Sequence, residues 1–285
     1  MSAAAQTIAD IGELVDLDTY PLDNLDSGQG RMLVTSIQAS LEADGAASLP
    51  NFLRPWALEM MVAEAEALAP LAFDGPTSVS PYFFNYDIAG ADVPDGHPTR
   101  REGRRNLGQV AYDLIPRESL LCRLYHSDLI TRLVARVRNK TQLFRLADRY
   151  QSLNISVMNE GGCQQWHFDR GQLVTTLLLQ AAESGGVFEY APRIRNDEDE
   201  HFDDVAAVLD GDRSRVHELN LEPGALNLFQ GHYSMHRVTP VVGTRRRLQT
   251  IFAFADEPDT HGNLKSSILH YGPRVSELEL DRHLS

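Results

Sequence analysis

Gln165-Trp166-His167-Phe168-Asp169-Arg170 is the stretch on which the fold and chemistry of this chain turn. A histidine and an aspartate two positions apart point to the same side of an extended strand, because side chains there alternate with period two. An imidazole nitrogen and a carboxylate oxygen can then meet one metal ion. So short a pair also arises by chance, and its meaning depends on what surrounds it. From Leu153 onward short apolar runs follow one another: Leu153–Met158, Leu173–Gln180, Val187–Tyr190, Val216–Leu219, Ala225–Phe229 and Arg247–Phe254. Gly161-Gly162, Gly185-Gly186, Pro223-Gly224 and Gly243 punctuate them. Short strands between such turn signals predict a β-sandwich or barrel.

Outside this block the texture differs. Met32–Glu42 carries apolar residues at helical spacing and ends before Gly45, and Pro55 opens a second helix through Leu68. A third helix is expected from Ile130 to Val137, and the acidic Asn196–Asp212 insert reads as a short helix with negative charge in its first turn. Gly75–Arg105, rich in Gly, Pro, Asp and aromatics, predicts a long ordered loop or irregular strands. Helices first and strands after, without strict alternation, make this an α+β chain with one β-rich core.

Composition narrows the function classes. The 285 residues carry Lys+Arg 26 against Asp+Glu 40, a net charge of −14. Nucleic acid and anionic membrane surfaces are therefore poor partners, since both need clustered basic residues. No apolar run approaches the length of a membrane span, and Met1–Leu22, with Asp10, Glu13, Asp16 and Asp18, lacks the pattern of a secretory signal. Cys122 and Cys163 make no disulfide framework and have no zinc spacing, so the default expectation is a soluble cytoplasmic protein with reduced thiols.

The second half of the candidate site is Gly231-His232-Tyr233-Ser234-Met235-His236-Arg237-Val238-Thr239-Pro240, followed by Gly243-Thr244-Arg245-Arg246-Arg247. It offers a histidine at a strand end, a tight turn, and a strand opening with arginines. His167 and Asp169 plus the distant His236 are the ligand set of non-haem Fe(II) oxygenases, which leaves open positions for a chelating cosubstrate and O2. A downstream arginine can fork onto the cosubstrate's far carboxylate.

These pieces resemble the Fe(II)/2-oxoglutarate-dependent dioxygenases. The similarity rests on Trp166-His167-Phe168-Asp169, on His236-x-Val238-x-Pro240, and on Gly243 with its arginines. It extends to Gly185–Tyr190 and Pro223–Gly231, and is expected to cover Met32 to Asp256. More narrowly, the chain resembles the hydroxylase relatives of the carrier-free amino-acid halogenases. Those halogenases have a small residue where Asp169 stands, leaving room for chloride, so the retained carboxylate implies hydroxylation. The resemblance implies a double-stranded β-helix (jelly-roll, cupin-like) core with N-terminal flanking helices. It is expected as a single oxygenase domain over 1–285: helical preface and loops at 1–150, jelly roll at 151–256, tail at 257–285.

It also implies roles. His167, Asp169 and His236 would hold Fe(II), and Arg245 or Arg247 would bind 2-oxoglutarate. Arg247 is preferred, because Gln249, Ile251 and Ala253 on its face suit a barrel interior while Arg245 sits near the turn. The related enzymes hold a substrate carboxylate with an arginine before the barrel, which points to Arg104 or Arg105; Arg170 beside the metal motif is a further candidate. The expected reaction hydroxylates an unactivated C–H bond of a small metabolite, a free amino acid or derivative. Desaturation or cyclisation by the same chemistry, a non-catalytic metal-binding jelly roll, and a homodimer stay open. Taken singly, each histidine would be a hydrogen-bonded structural residue, His232 and Trp166 read as supporting or packing residues, and the Arg100–Arg105 cluster as a solvated loop.

Overall fold

The computed structural model describes residues 11–84, 88 and 92–284. The acidic start up to Asp10 and, within the expected 75–105 loop, residues 85–87 and 89–91 lie outside the described residues.

The β-rich half forms two antiparallel sheets. The larger has seven strands, in the order Ala46–Leu49, Leu226–Phe229, Val174–Gln180, Arg247–Phe252, Leu153–Met158, Gly108–Val110 and Phe73–Asp74. The smaller has six: His217–Leu219, Phe188–Ala191, Met235–Val238, Cys163–His167, Gly103–Asn106 and Ser78–Val79. From Leu153 on, the chain crosses repeatedly between the sheets, which is the winding of a double-stranded β-helix.

Alternation along each strand explains how one sheet serves two surroundings. In Arg247–Phe252 the residues Leu248 and Phe252 join the main apolar core, whereas Arg247, Gln249 and Ile251 line the space between the sheets. In Leu153–Met158, Leu153, Ile155 and Val157 face the core, and Ser156 and Met158 face inward. The core side is covered by the helices Gly28–Asp44, Pro55–Leu68, Leu120–Tyr125 and Asp128–Val137, through residues such as Ile37, Leu41, Met61, Leu124 and Leu133. Each fully buried aliphatic side chain there stabilises by about 1.5–3 kcal/mol. The outer face of the larger sheet thus carries the stability, and its inner face is free to be polar.

Local signals set the helix ends. The first helix begins at Gly28, ahead of the apolar pattern, because the Ser27 hydroxyl accepts from the Gly30 amide at 2.9 Å. It stops at Gly45, whose φ of 72° suits glycine. The acidic insert forms the helix Phe202–Leu209 with Asp203 and Asp204 in its first turn. Val205 and Val208 pack it against Tyr82, Trp166 and Phe168. Within the 75–105 segment, expected as a loop or irregular strands, Ser78–Val79 and Gly103–Asn106 are strands of the smaller sheet. Two features lie beyond the sequence expectation: Ala46–Leu49, Phe73–Asp74 and Gly108–Val110 extend the larger sheet, and the tail folds into the helices Leu264–Tyr271 and Arg274–Leu284. Among the described residues, no helix is long and apolar enough to cross a membrane.

Candidate active site

His167 ends the strand Cys163–His167, and His236 sits on the neighbouring strand Met235–Val238 directly opposite it in the ladder. Their ring centroids are 4.0 Å apart. Asp169 lies past the strand end, so strand pairing does not place it. Its amide instead donates to the Gly231 carbonyl at 2.9 Å, while the Phe168 amide donates to Pro81. Asp169 Oδ2 comes to 3.3 Å from His236 Nε2 and Oδ1 to 3.9 Å from His167 Nε2. One ligand atom from each of the three residues lies within 4.8 Å of the others, a spacing that fits a single ion.

The donor chemistry fits a metal as well. His167 Nδ1 is 2.9 Å from the Gln165 carbonyl and His236 Nδ1 is 3.0 Å from the Ser234 carbonyl. A carbonyl only accepts, so each Nδ1 carries the proton and each Nε2 lone pair faces the shared point. Burial pushes His167 down to about 3, with His236 beside it adding to the effect, and burial pushes His236 down to about 4. Both rings are neutral at pH 7, the state in which an imidazole can ligate a metal. Burial raises the Asp169 carboxyl, which His167 and His232 partly oppose. A cation among these groups would reverse that cost.

The surrounding residues pack against the metal motif and tie it down. Phe188 and Phe229 pack on the His236 ring at 5.4 and 4.9 Å. Arg195, which sequence reasoning missed, is fully buried with its guanidinium 4.0 Å above the Phe168 ring. It pairs with Glu200 at 2.9 Å and donates to the His232 carbonyl at 2.6 Å. His232 Nδ1 in turn lies 3.3 Å from the Asp169 carbonyl, so it touches the metal motif through backbone, the supporting place expected for it. Trp166 is buried, with the Arg237 guanidinium 4.8 Å over its ring, a packing role.

The arginines separate cleanly. Arg247 is 3% exposed and lines the cavity with Gln249 and Ile251, on the same wall as Thr176 and Asn227. Its Nη2 is buried and has no hydrogen-bond partner. Burial lowers it to about 10, so it stays charged at neutral pH. Arg245 is exposed and turned away, its guanidinium donating to the Ala181 and Ala182 carbonyls at 3.0 and 3.1 Å.

Before the barrel, Arg105 is 2% exposed and lines the same cavity, whereas Arg104 and Arg170 are exposed and do not line it. The reason is register: Arg105 stands opposite Gln164 in the Gly103–Asn106 strand, so Arg104 points outward. Arg105 Nε has no partner, and its other nitrogens make only long contacts of 3.4–3.5 Å to Pro76, Leu107 and Gln109. Burial lowers it to about 10, partly offset by Asp74. Phe84 and His270 complete this wall. Nothing in the sequence signalled His270, which comes from the tail helix Leu264–Tyr271.

The fold and this site define an iron- and 2-oxoglutarate-type oxygenase. The chain belongs to the halogenase D family, whose profile matches residues 97–270. A search of curated protein sequences finds no match. Among solved structures it is similar in fold to AviO1 from Streptomyces viridochromogenes Tue57, at 16% identity over 79% of this chain and 95% of that one, with a TM-score of 0.53. It is similar to SnoK, a non-haem α-ketoglutarate-dependent carbocyclase of nogalamycin biosynthesis, at 13% identity over 86% and 89% of the two chains, with a TM-score of 0.53. It is also similar to the epimerase SnoN, solved with Fe3+, α-ketoglutarate and nogalamycin RO, at 16% identity over 79% and 84%, with a TM-score of 0.51.

Proposed function

We propose that this protein is a 2-oxoglutarate-dependent hydroxylase of a free amino acid or close derivative, with Fe(II) held by His167, Asp169 and His236. The observation that carries the reading is the set of charges around one cavity. A neutral–neutral–anionic metal triad shares its cavity with two buried guanidinium groups, Arg247 and Arg105, each with a buried nitrogen that has no hydrogen-bond partner. Arg105 Nε and Arg247 Nη2 are buried without a partner, and an incompletely satisfied buried guanidinium is costly, so the cavity suits anionic ligands. With iron bound, this chemistry consumes O2, converts 2-oxoglutarate to succinate and CO2, and turns a substrate C–H bond into C–OH.

The chain's own residues supply placement. Arg247 forks onto the distal carboxylate of 2-oxoglutarate in the bidentate geometry that a guanidinium provides. Arg105 holds the carboxylate of the substrate from the opposite wall. Phe188 and Phe229 against His236 keep bulk water from the reacting centre. Hydroxylation rather than halogenation follows from Asp169. Its carboxylate is retained, and it fills its space so closely that a Cβ on Gly231 would lie 1.9 Å from Oδ2. A halide needs that space.

The experiment is a panel of L-amino acids incubated with Fe(II), 2-oxoglutarate and air, followed for succinate and for a product one oxygen heavier. An amino acid that raises succinate and yields that product supports the reading. Substrate-stimulated succinate with loss of two hydrogens would assign desaturation or cyclisation, and no stimulation by any member would sink the amino-acid assignment.

A further inference from the structure

The tail of the chain contributes a side chain to the cavity that the hydroxylation chemistry does not require. His270, near the end of the helix Leu264–Tyr271, is 6% exposed and lines the same space as Arg105, His167 and Asp169. Its ring stacks on Phe84 with centroids 5.4 Å apart and planes at 10°, and meets Phe83 edge-on at 5.7 Å. Nδ1 lies 2.7 Å from the Ser266 carbonyl, so the proton sits on Nδ1 and Nε2 is a pure acceptor. Burial holds the ring down at about 4, and the charge of Arg105 opposes protonation too. Nε2 is buried, and among the described residues nothing bonds to it.

Packing alone does not explain this arrangement. A phenyl ring would stack on Phe84 equally well, without an unmatched buried acceptor that costs about 1–3 kcal/mol. The neighbouring group is a donor of the complementary kind. A Cβ built on Gly75 would lie 2.8 Å from Arg105 Nη1 and 3.0 Å from the Leu269 carbonyl, so the guanidinium adjoins the residue preceding His270. One wall therefore presents a cationic donor beside a neutral acceptor. A carboxylate and an ammonium on one carbon are the matching pair.

We infer that His270 Nε2 accepts a hydrogen bond from the α-ammonium group of the substrate whose carboxylate Arg105 holds. This rests on the amino-acid reading above and adds a specificity-determining residue to it: the helix Leu264–Tyr271 makes the site select an α-amino acid over the corresponding simple acid.

Binding rather than turnover tests it. The protein loaded with Fe(II) and 2-oxoglutarate without oxygen is titrated by calorimetry with the most active L-amino acid of the panel and with the same acid lacking its amino group. His270→Phe, which keeps the stack and removes the acceptor, should weaken the amino acid about 10–100-fold, the range for a hydrogen bond to a charged group. It should leave the simple acid unchanged. His270→Gln, whose amide oxygen can reach the Nε2 position, should recover part of the discrimination, and it keeps the test open if the Phe variant folds poorly. Equal loss for both ligands, no loss for either, or a Gln variant discriminating no better than Phe would overturn the His270 assignment alone. Failure of every amino acid to bind the wild-type protein would overturn the amino-acid reading and this inference with it.

Discussion

Gly231→Ala is the sharpest perturbation of the metal centre that leaves every proposed ligand in the sequence. A Cβ at this position would lie 1.9 Å from Asp169 Oδ2, 2.7 Å from its Cγ and 2.9 Å from its Cβ. Ordinary van der Waals contact begins near 3.4 Å, so the carboxylate oxygen must retreat by about 1.5 Å. Metal–ligand bonds tolerate deviations of only about 0.2 Å, and Asp169 cannot yield that distance and stay a ligand. The Asp169 amide is tied to the Gly231 carbonyl at 2.9 Å, which couples the two segments and blocks an easy hinge. Overpacking of this kind costs about 1–3 kcal/mol of stability, and displacing a ligand should lower Fe(II) affinity by at least the roughly 10–100-fold seen when supporting residues are lost. Anaerobic Fe(II) titration of the metal-free protein measures this, with Gly28→Ala as the control. A Cβ there meets nothing within 4 Å, and alanine favours the helix. A Gly231→Ala protein that binds Fe(II) as tightly as wild type would refute the placement of Asp169 on the metal.

Three further outcomes follow from the same geometry. Arg247→Lys should raise the Kd for 2-oxoglutarate about 10-fold or more, since an ammonium cannot reproduce the fork; Arg245→Ala should leave it within twofold, and the reverse order would exchange their roles. Asp169→Ala should abolish hydroxylation, measured as product mass, and full retained activity would remove Asp169 from the ligand set. The His270 ring stays neutral in the folded protein down to about pH 4 but charges near 6.5 when unfolded. The unfolded chain therefore binds the extra proton, and folded stability falls as pH drops from 6.5 toward 4. Urea midpoints of metal-free wild type and His270→Phe at pH 7 and pH 5 should show the variant losing less, by an amount of order 1 kcal/mol per pH unit.

The sequence made the metal motif legible because its chemistry and its spacing coincide: His167, Asp169 and His236 are ligand types in a known pattern, and the small, mixed face of Gln249, Ile251 and Ala253 favoured Arg247 over Arg245 near the turn. It could not choose between Arg104 and Arg105. The segment reads as a loop or irregular strands with no fixed register, and only its pairing with Cys163–His167 turns Arg105 inward. Arg195 was hidden for a different reason. An arginine next to an acidic insert looks solvated, and its burial over Phe168 depends on a long-range contact with no local signature. The tail was hardest. Its helix begins at Asn263, whose side chain accepts from the Ser266 amide, a cap that was present in the sequence but without a motif to give it weight. His270 reaches the site through tertiary packing alone.

The central claim is that one cavity holds Fe(II) on His167, Asp169 and His236 with 2-oxoglutarate anchored by Arg247. Anaerobic titration of the Fe(II)-loaded protein with 2-oxoglutarate tests it most directly, by the visible metal-to-ligand charge-transfer band of the chelate. The account predicts a band that saturates at one equivalent, is lost in His236→Ala, and needs far more 2-oxoglutarate in Arg247→Ala. Absence of a band in the wild-type protein, or an undiminished one in both variants, would contradict it.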